Sequence, residues 1–257
     1  MQTLLENNSH RRYNILTGEW LLVSPHRSKR PWQGQNETFI KKETIEHDLN
    51  CYLCAGNTRI SGDQNPNYKD VFIFQNDFPA LQQDAAQFSS HKGLFRAESE
   101  SGICKVICFS PDHSKSLADM SVSAITKVIQ AWCEQYTELG QIENINYVQI
   151  FENKGAVMGC SNPHPHGQIW SQSILPNEIV KKDKYQSEYF NSNQRSLLKE
   201  YLTQELDENE RIIFQNDTFV VLTPFWAIWP FETMIVPKNH HQHITQINSN
   251  EKEDFAQ

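Results

Sequence analysis

The 257-residue chain carries 31 acidic against 23 basic residues, a formal net charge of −8, and 38% hydrophobic residues. That balance recommends neither nucleic acid nor an anionic membrane as partner, and it leaves enough apolar material for a substantial core. No secretory signal or membrane-length apolar run is visible, and six cysteines point to a reducing cytoplasm.

In chain order, the apolar run at residues 20–23 leads into a turn-like basic segment, His26-Arg-Ser-Lys-Arg-Pro31. Guanidinium groups match phosphate oxygens with paired donors and stay charged at any working pH. Arg27 and Arg30 are therefore anion-binding candidates, although such a cluster alone also reads as a solvated loop. Cys51 and Cys54 follow at the C-x-x-C spacing that lets two thiolates meet one tetrahedral zinc. No second C-x-x-C follows, so any further ligands come from elsewhere. A redox pair and two unligated core thiols remain readings of the same spacing. Phe74-Gln-Asn-Asp77, taken alone, is a strand end and a turn.

Residues 104–109 and 147–151 are short, apolar and partly β-branched, and both predict β-strands. Between them Val122, Ile125, Val128, Ile129, Trp132, Tyr136 and Leu139 recur at helical spacing, with Ser121 ahead and Gly140 as a stop. That stripe is core. Cys104, Cys108, Cys133 and Cys160 sit in apolar or motif segments and read as packing thiols.

The most informative stretch comes next: Phe151-Glu-Asn-Lys-Gly-Ala-Val-Met-Gly-Cys-Ser-Asn-Pro-His164-Pro-His166-Gly-Gln168-Ile-Trp170. Two histidines flank one proline, so an extended backbone sends both rings to the same face. Glycines ahead of them let backbone approach an anion without an obstructing Cβ. Gly155, Gly159 and Ser161 offer N–H and hydroxyl donors, while Asn153 and Gln168 offer neutral amides. A nucleophilic imidazole beside a phosphate cradle points to covalent transfer of a phosphorus-centred group. A neutral imidazole suits that role near pH 7, since its free pKa is about 6.5.

A charged segment at about residues 177–208 predicts a connecting helix. The two halves then echo each other. Phe74-Gln-Asn-Asp77 recurs as Phe214-Gln-Asn-Asp217, and Phe109-Ser-Pro-Asp-His113 is answered by Ile235-Val-Pro-Lys-Asn-His240. A duplicated α+β module is the natural inference. The second copy breaks off at Gln257, early in its matching helix, so the reading is of a truncated or partial second module. The alternative is a naturally short chain completed by dimerisation. His240, His241 and His243 lack thiolate or carboxylate partners and read as surface histidines.

The run Phe-Glu-Asn-Lys-Gly, then Gly, then His-Pro-His-x-Gln, resembles the signature of the galactose-1-phosphate uridylyltransferase family of the histidine-triad superfamily. Pro25-His-Arg-Ser-Lys-Arg-Pro-Trp-Gln33, Cys51-x-x-Cys54-Ala-Gly, Phe74-Gln-Asn-Asp77 and Phe109-Ser-Pro-Asp-His-Ser-Lys115 match in order. The resemblance covers nearly the whole chain from Tyr13.

What it implies is an α+β fold of tandem histidine-triad-like modules with antiparallel sheets, the second incomplete. Residues 1–176 would be the catalytic module; residues 177–257 would be the connecting helical segment and the start of the second. The implied reaction moves a uridylyl group from UDP-glucose to His166 and then to galactose 1-phosphate, giving UDP-galactose, a step of galactose metabolism. Gln168 occupies the place where many relatives carry a third histidine. An amide there can bond the transferring oxygens yet cannot readily shuttle protons to water, which favours transferase over hydrolase. The alternatives are a dinucleotide phosphorylase or nucleotidyl hydrolase of the same superfamily, or an inactive nucleotide-binding fragment.

The resemblance also assigns roles. Arg27 and Arg30 would contact the nucleotide phosphates, and Phe74, Asn76 and Asp77 the uracil and ribose. Asn153, Gly159, Ser161 and Gln168 would complete the UDP-sugar site. His113 and His164 would join Cys51 and Cys54 on a structural zinc. Lys182 fills the apparent place of a glutamate that binds a second metal, often iron, and an ammonium has no lone pair to offer. No iron site is therefore expected, and the full-length family form is expected to be a homodimer.

Overall fold

The computed structural model describes residues 2–29, 31, 45–160 and 162–257. Arg30, Ser161, Trp32 and Gln33 lie outside the described residues. In chain order the regular elements are α1 (Gln2–Asn7), β1 (His10–Asn14), β2 (Glu19–Val23), β3 (Phe72–Gln75), β4 (Ser89–Lys92), β5 (Phe95–Glu98), β6 (Gly102–Cys108), α2 (Val122–Gly140), β7 (Tyr147–Phe151), β8 (His166–Gln172), α3 (Asn177–Asn193), α4 (Leu197–Glu208), β9 (Ile212–Gln215), β10 (Phe219–Leu222), β11 (Met234–Pro237) and α5 (Ser249–Phe255). Helix is mixed with antiparallel sheet, as the sequence predicts. The chain divides into two units, residues 1–41 with 176–241 and residues 42–175 with 242–257. Among the described residues no helix is long and apolar enough to cross a membrane.

In the unit of residues 42–175 and 242–257, four antiparallel strands run in the order β3-β6-β8-β7. Side chains alternate between the faces of a strand, and along β8 the burial alternates with them. One face carries Ile107 and Ile169 against Val128, Ala131 and Leu139 of α2. Burying each such aliphatic side chain stabilises the unit by about 1.5–3 kcal/mol. α2 begins where Ser121 Oγ accepts the Ala124 N–H, satisfying one of the donors that every helix start leaves open. α5 runs beside α2, and Asn248 and Glu251 close its first turn reciprocally.

The other face of the sheet packs on the C-x-x-C loop. Its cross-strand row Phe72–Cys108–His166, and the next row Phe74–Val106–Gln168, follow directly from the registers of β3 on β6 and β6 on β8. Val106 and Cys108 pack there with Cys51, Leu53 and Cys54 from the C-x-x-C loop. One sheet thus separates an aliphatic core from the face that carries the chemistry.

In the unit of residues 1–41 and 176–241, α4 covers a three-stranded sheet of order β11-β10-β9 through Leu202, Val220, Leu222 and Val236. The helical segment expected across residues 177–208 is two helices. Gln194 turns left-handed at φ 56° and ends α3, and Ser196 Oγ accepts the Lys199 N–H to start α4. Glu205, 1% exposed, takes both carboxylate oxygens to Arg211 Nε at 2.8 and 3.0 Å.

The repeated Phe-Gln-Asn-Asp ends a strand in each unit, and Asn76 and Asn216 each accept backbone N–H groups that close the following turn. The strands themselves match in place: β3 is an edge strand beside β6, and β9 is an edge strand beside β10.

Candidate functional site

Asn162 sets up the approach to β8. Buried at 5% exposure, it accepts the His164 backbone N–H at 2.9 Å and donates Nδ2 to Cys51 Sγ at 3.4 Å. After Pro165 the chain enters β8 at His166, whose Nδ1 lies 2.7 Å from the His164 backbone oxygen. A carbonyl can only accept, so Nδ1 is the donor, and in the neutral tautomer this selects, Nε2 keeps its lone pair. The bond orients the ring and leaves Nε2 as the uncommitted nitrogen. Gly167 has no substitute beside it. A Cβ there would come within 2.8 Å of the Phe109 ring and 2.9 Å of the Phe151 carbonyl oxygen.

His166 borders two cavities. The first, about 180 Å³, is lined by Phe74, Asn76, Asp77, His166 and Gln168, together with Tyr52, Leu53, Ile60, Phe78 and Val106. Gln168 Oε1 accepts the Trp170 indole N–H at 3.1 Å, which leaves the amide hydrogens of Nε2 as the group it can offer a ligand. Arg59 lies 4.3 Å above the Phe74 ring and 3.8 Å from the Asp77 carboxylate. The cavity therefore combines an aromatic face, a carboxylate, two amides and the imidazole. That set suits a base, a ribose and a phosphate.

The second cavity, about 260 Å³, is lined by Asn153, Gly155, His164 and His166 with Lys115, Lys154, Glu152 and Asn162. Two lysines beside exposed backbone suit an anion. Burial pushes the Glu152 carboxyl above its ordinary range, with Lys154 and His166 opposing that shift. A short turn at residues 156–158 sits between Gly155 at φ 88° and Gly159 at φ 78°. Both values lie in the left-handed region that favours glycine. Gly159 itself is exposed and lines neither cavity.

Cys51, Cys54, His113 and His164 bring four ligand atoms within 4.8 Å of one another. Among the described residues this is the one such group of histidine, cysteine and carboxylate side chains. Cys54 Sγ lies 3.5 Å from His113 Nδ1 and 3.6 Å from His164 Nδ1. Burial, reinforced by His113, lowers the His164 pKa to about 4, which keeps it in the neutral form a metal needs. Burial raises the Cys54 thiol to about 11, so metal binding there releases protons. Two sulfurs and two imidazoles form a closed, soft donor set, and the residues fit a tetrahedral divalent metal of the zinc type.

The cavity around His166 thus draws together Phe74, Asn76, Asp77 and Gln168 from the sequence candidates, and its neighbour adds Asn153. Arg27 is exposed on the short helical turn Pro25–Lys29 of the other unit. Arg30 and Ser161 lie outside the described residues. Ile60, Tyr52 and Phe78 carry no chemical signal in the sequence. They line the first cavity because the loop around the C-x-x-C pair and the turn after β3 come together there.

Residues 1–176 match the model of the galactose-1-phosphate uridyl transferase N-terminal domain, and residues 181–257 that of the C-terminal domain. A galactose-1-phosphate uridylyltransferase of Haemophilus influenzae is 48% identical over 96% of this chain and 70% of its own. One of Schizosaccharomyces pombe is 42% identical over 96% of this chain and 72% of its own. A solved uridylyltransferase structure is similar with a TM-score of 0.72 at 26% identity, across 97% of this chain and 72% of the other.

Proposed function

The chain belongs to the galactose-1-phosphate uridylyltransferase family, and from that premise we propose that His166 carries the uridylyl group between two sugar phosphates. The protein is a nucleotidyltransferase of galactose metabolism that exchanges UMP between UDP-glucose and galactose 1-phosphate. In the first step His166 Nε2 attacks the phosphorus bonded to uridine. An N–P bond forms, the P–O bond to the sugar phosphate breaks, and glucose 1-phosphate leaves as an anion. In the second step a phosphate oxygen of galactose 1-phosphate forms a new P–O bond as the N–P bond breaks, and UDP-galactose leaves. Neither step needs a strong acid or base, because both sugar phosphates are already ionised.

The observation that carries this reading is the bond between His166 Nδ1 and the His164 carbonyl, which leaves Nε2 as the nucleophile. The surrounding cavity supports the remaining roles: Phe74 stacks on uracil, Asn76 and Asp77 bond the base and ribose, and Gln168 donates to the transferring oxygens. Asn153, Gly159 and Ser161 are assigned to the phosphates, and Arg27 and Arg30 to the nucleotide phosphates, by family resemblance. Zinc is the metal that Cys51, Cys54, His113 and His164 suit, and when bound it supplies a structural cross-link between the C-x-x-C loop and the approach to β8. A cytoplasmic location fits the six free thiols, and a homodimer fits the family.

The test is intact-protein mass after brief mixing with UDP-glucose. A uridylyl-sized adduct in the wild type, absent from His166→Ala, is the expected result. An adduct that persists in His166→Ala, or a folded wild type that forms none, would overturn the assignment.

A further inference from the structure

Tyr68 has no part in the reaction or in the four-residue donor set, yet its hydroxyl sits between the two halves of that set. It lies 2.6 Å from the backbone oxygen of Leu53 and 3.0 Å from His164 Nε2. Leu53 stands between Cys51 and Cys54 in the C-x-x-C loop. A phenol has one hydrogen, and the Leu53 carbonyl can only accept, so that hydrogen is committed to Leu53. His164 Nε2 must then be the donor toward Tyr68, which makes it Nε2–H. The proton leaves Nδ1, the nitrogen that faces Cys54 Sγ at 3.6 Å, with a bare lone pair. Stacking on Phe72, with ring centroids 5.0 Å apart and planes at 19°, holds the phenol in place.

We infer that Tyr68 is a positioning residue of the metal centre: one hydroxyl selects the metal-binding tautomer of His164 and ties it to the loop that carries both thiols. The inference rests on the reading of Cys51, Cys54, His113 and His164 as metal ligands and deepens it. Hydrogen bonds from outside the ligand set commonly change metal affinity by about 10–100-fold. The same peptide unit reaches the nucleophile, because the His164 carbonyl holds His166 Nδ1. Tyr68 therefore acts on the imidazole that attacks phosphorus only through His164.

Tyr68→Phe removes the hydroxyl and keeps the stacked ring. Zinc affinity is measured by chelator competition on the full chain, with stoichiometry by elemental analysis. The expected result is one zinc per wild-type chain and about 10–100-fold weaker binding in the variant. Equal affinity in the two proteins would overturn the role of Tyr68 while leaving the metal site intact. A folded wild type that binds no zinc would overturn the metal site and this inference with it. Should the variant fail to fold, nitrogen-15 NMR of histidine side chains in the zinc-loaded wild type decides. An Nε2–H signal for His164 with Nδ1 metal-bound supports the role of Tyr68; the opposite tautomer refutes it. A purely structural tyrosine would not fix that signature.

Discussion

His166 Nδ1 and the His164 backbone oxygen stand 2.7 Å apart, so the orientation of one histidine is fixed by the peptide of the other. The glycine that follows His166 is what lets the strand come this close to its neighbours. Gly167→Ala would force its new methyl against the Phe109 ring and the Phe151 carbonyl, at 2.8 and 2.9 Å. The backbone oxygen cannot swing away as a flexible side chain can. The variant is expected to lose about 1–3 kcal/mol of stability. It should also transfer uridylyl groups more slowly, because His166 and Gln168 flank the displaced residue. Urea denaturation of wild type and variant checks the first expectation, and the rate of adduct formation checks the second. An unchanged midpoint would mean that the sheet yields there without strain.

Acid should loosen the metal-free protein through His164. Its pKa is lowered from 6.5 to about 4 by burial and by His113, so the unfolded chain binds a proton there that the folded one refuses. Stability from this group is fully present above pH 6.5 and is lost as pH falls toward 4. The loss is on the order of 3 kcal/mol. Cys54 acts at the other end. Burial raises its pKa from 9.0 to about 11, so stability present below pH 9 is lost as pH rises through that value. Chelator-treated protein should therefore be most resistant to urea between about pH 6.5 and 9. Zinc should oppose the acid loss, because it holds His164 in its neutral form. A flat profile from pH 4 to 7 in the metal-free chain would show that His164 does not carry the effect.

Asp77 offers a separate handle on substrate binding. Its carboxylate lines the first cavity, with the Arg59 guanidinium 3.8 Å away and stacked on Phe74. Hydrogen bonds to a charged acceptor contribute more than neutral ones, about 1.5–3 kcal/mol. Asp77→Asn is expected to raise the KM for UDP-glucose by about 10–100-fold with a smaller change in kcat. Steady-state kinetics separate the two constants. A variant that lost kcat alone would move Asp77 from binding to chemistry.

The sequence reveals those parts of the molecule that depend on local pattern. The apolar spacing from Val122 to Leu139, with Ser121 ahead, predicts α2 closely because a helix's face and cap are both written in consecutive residues. The C-x-x-C pair is legible because one short loop sets the distance between its thiols. Long-range register is not legible in this way. Val106 reaches the site because β3, β6 and β8 pair as they do, and Tyr68 and Ile60 meet it on the loop ahead of β3. Nothing in the loop residues themselves marks that meeting. The repeated Phe-Gln-Asn-Asp shows the converse. A turn formed by its asparagine repeats in both units and closes an edge strand in each, yet the sheets that these strands border differ, with four strands in one and three in the other. Likewise the break at Gln194 hides in a run of polar residues whose helical preferences are similar. Ser196, a cap as good as Ser121, was the signal for it.

In the function proposed for this site, Gln168 would steer the uridylyl group toward a sugar phosphate rather than water. With Oε1 accepting from Trp170, its amide hydrogens can stabilise charge on the transferring oxygens but can neither take up nor release a proton. Water therefore gains no base from this residue when the sugar phosphate is absent. Gln168→Leu should form the His166 adduct about 100–1000-fold more slowly, the effect typical of removing one donor to a developing oxyanion. Gln168→His is the sharper experiment. An imidazole at that place can accept a proton from water, and general base catalysis contributes about 100-fold or more. The adduct of this variant, isolated free of acceptor, should hydrolyse to UMP correspondingly faster than that of the wild type. Mass spectrometry over time follows the decay directly. Equal lifetimes would mean that water is excluded from the phosphorus by the cavity walls, and that the amide contributes binding alone.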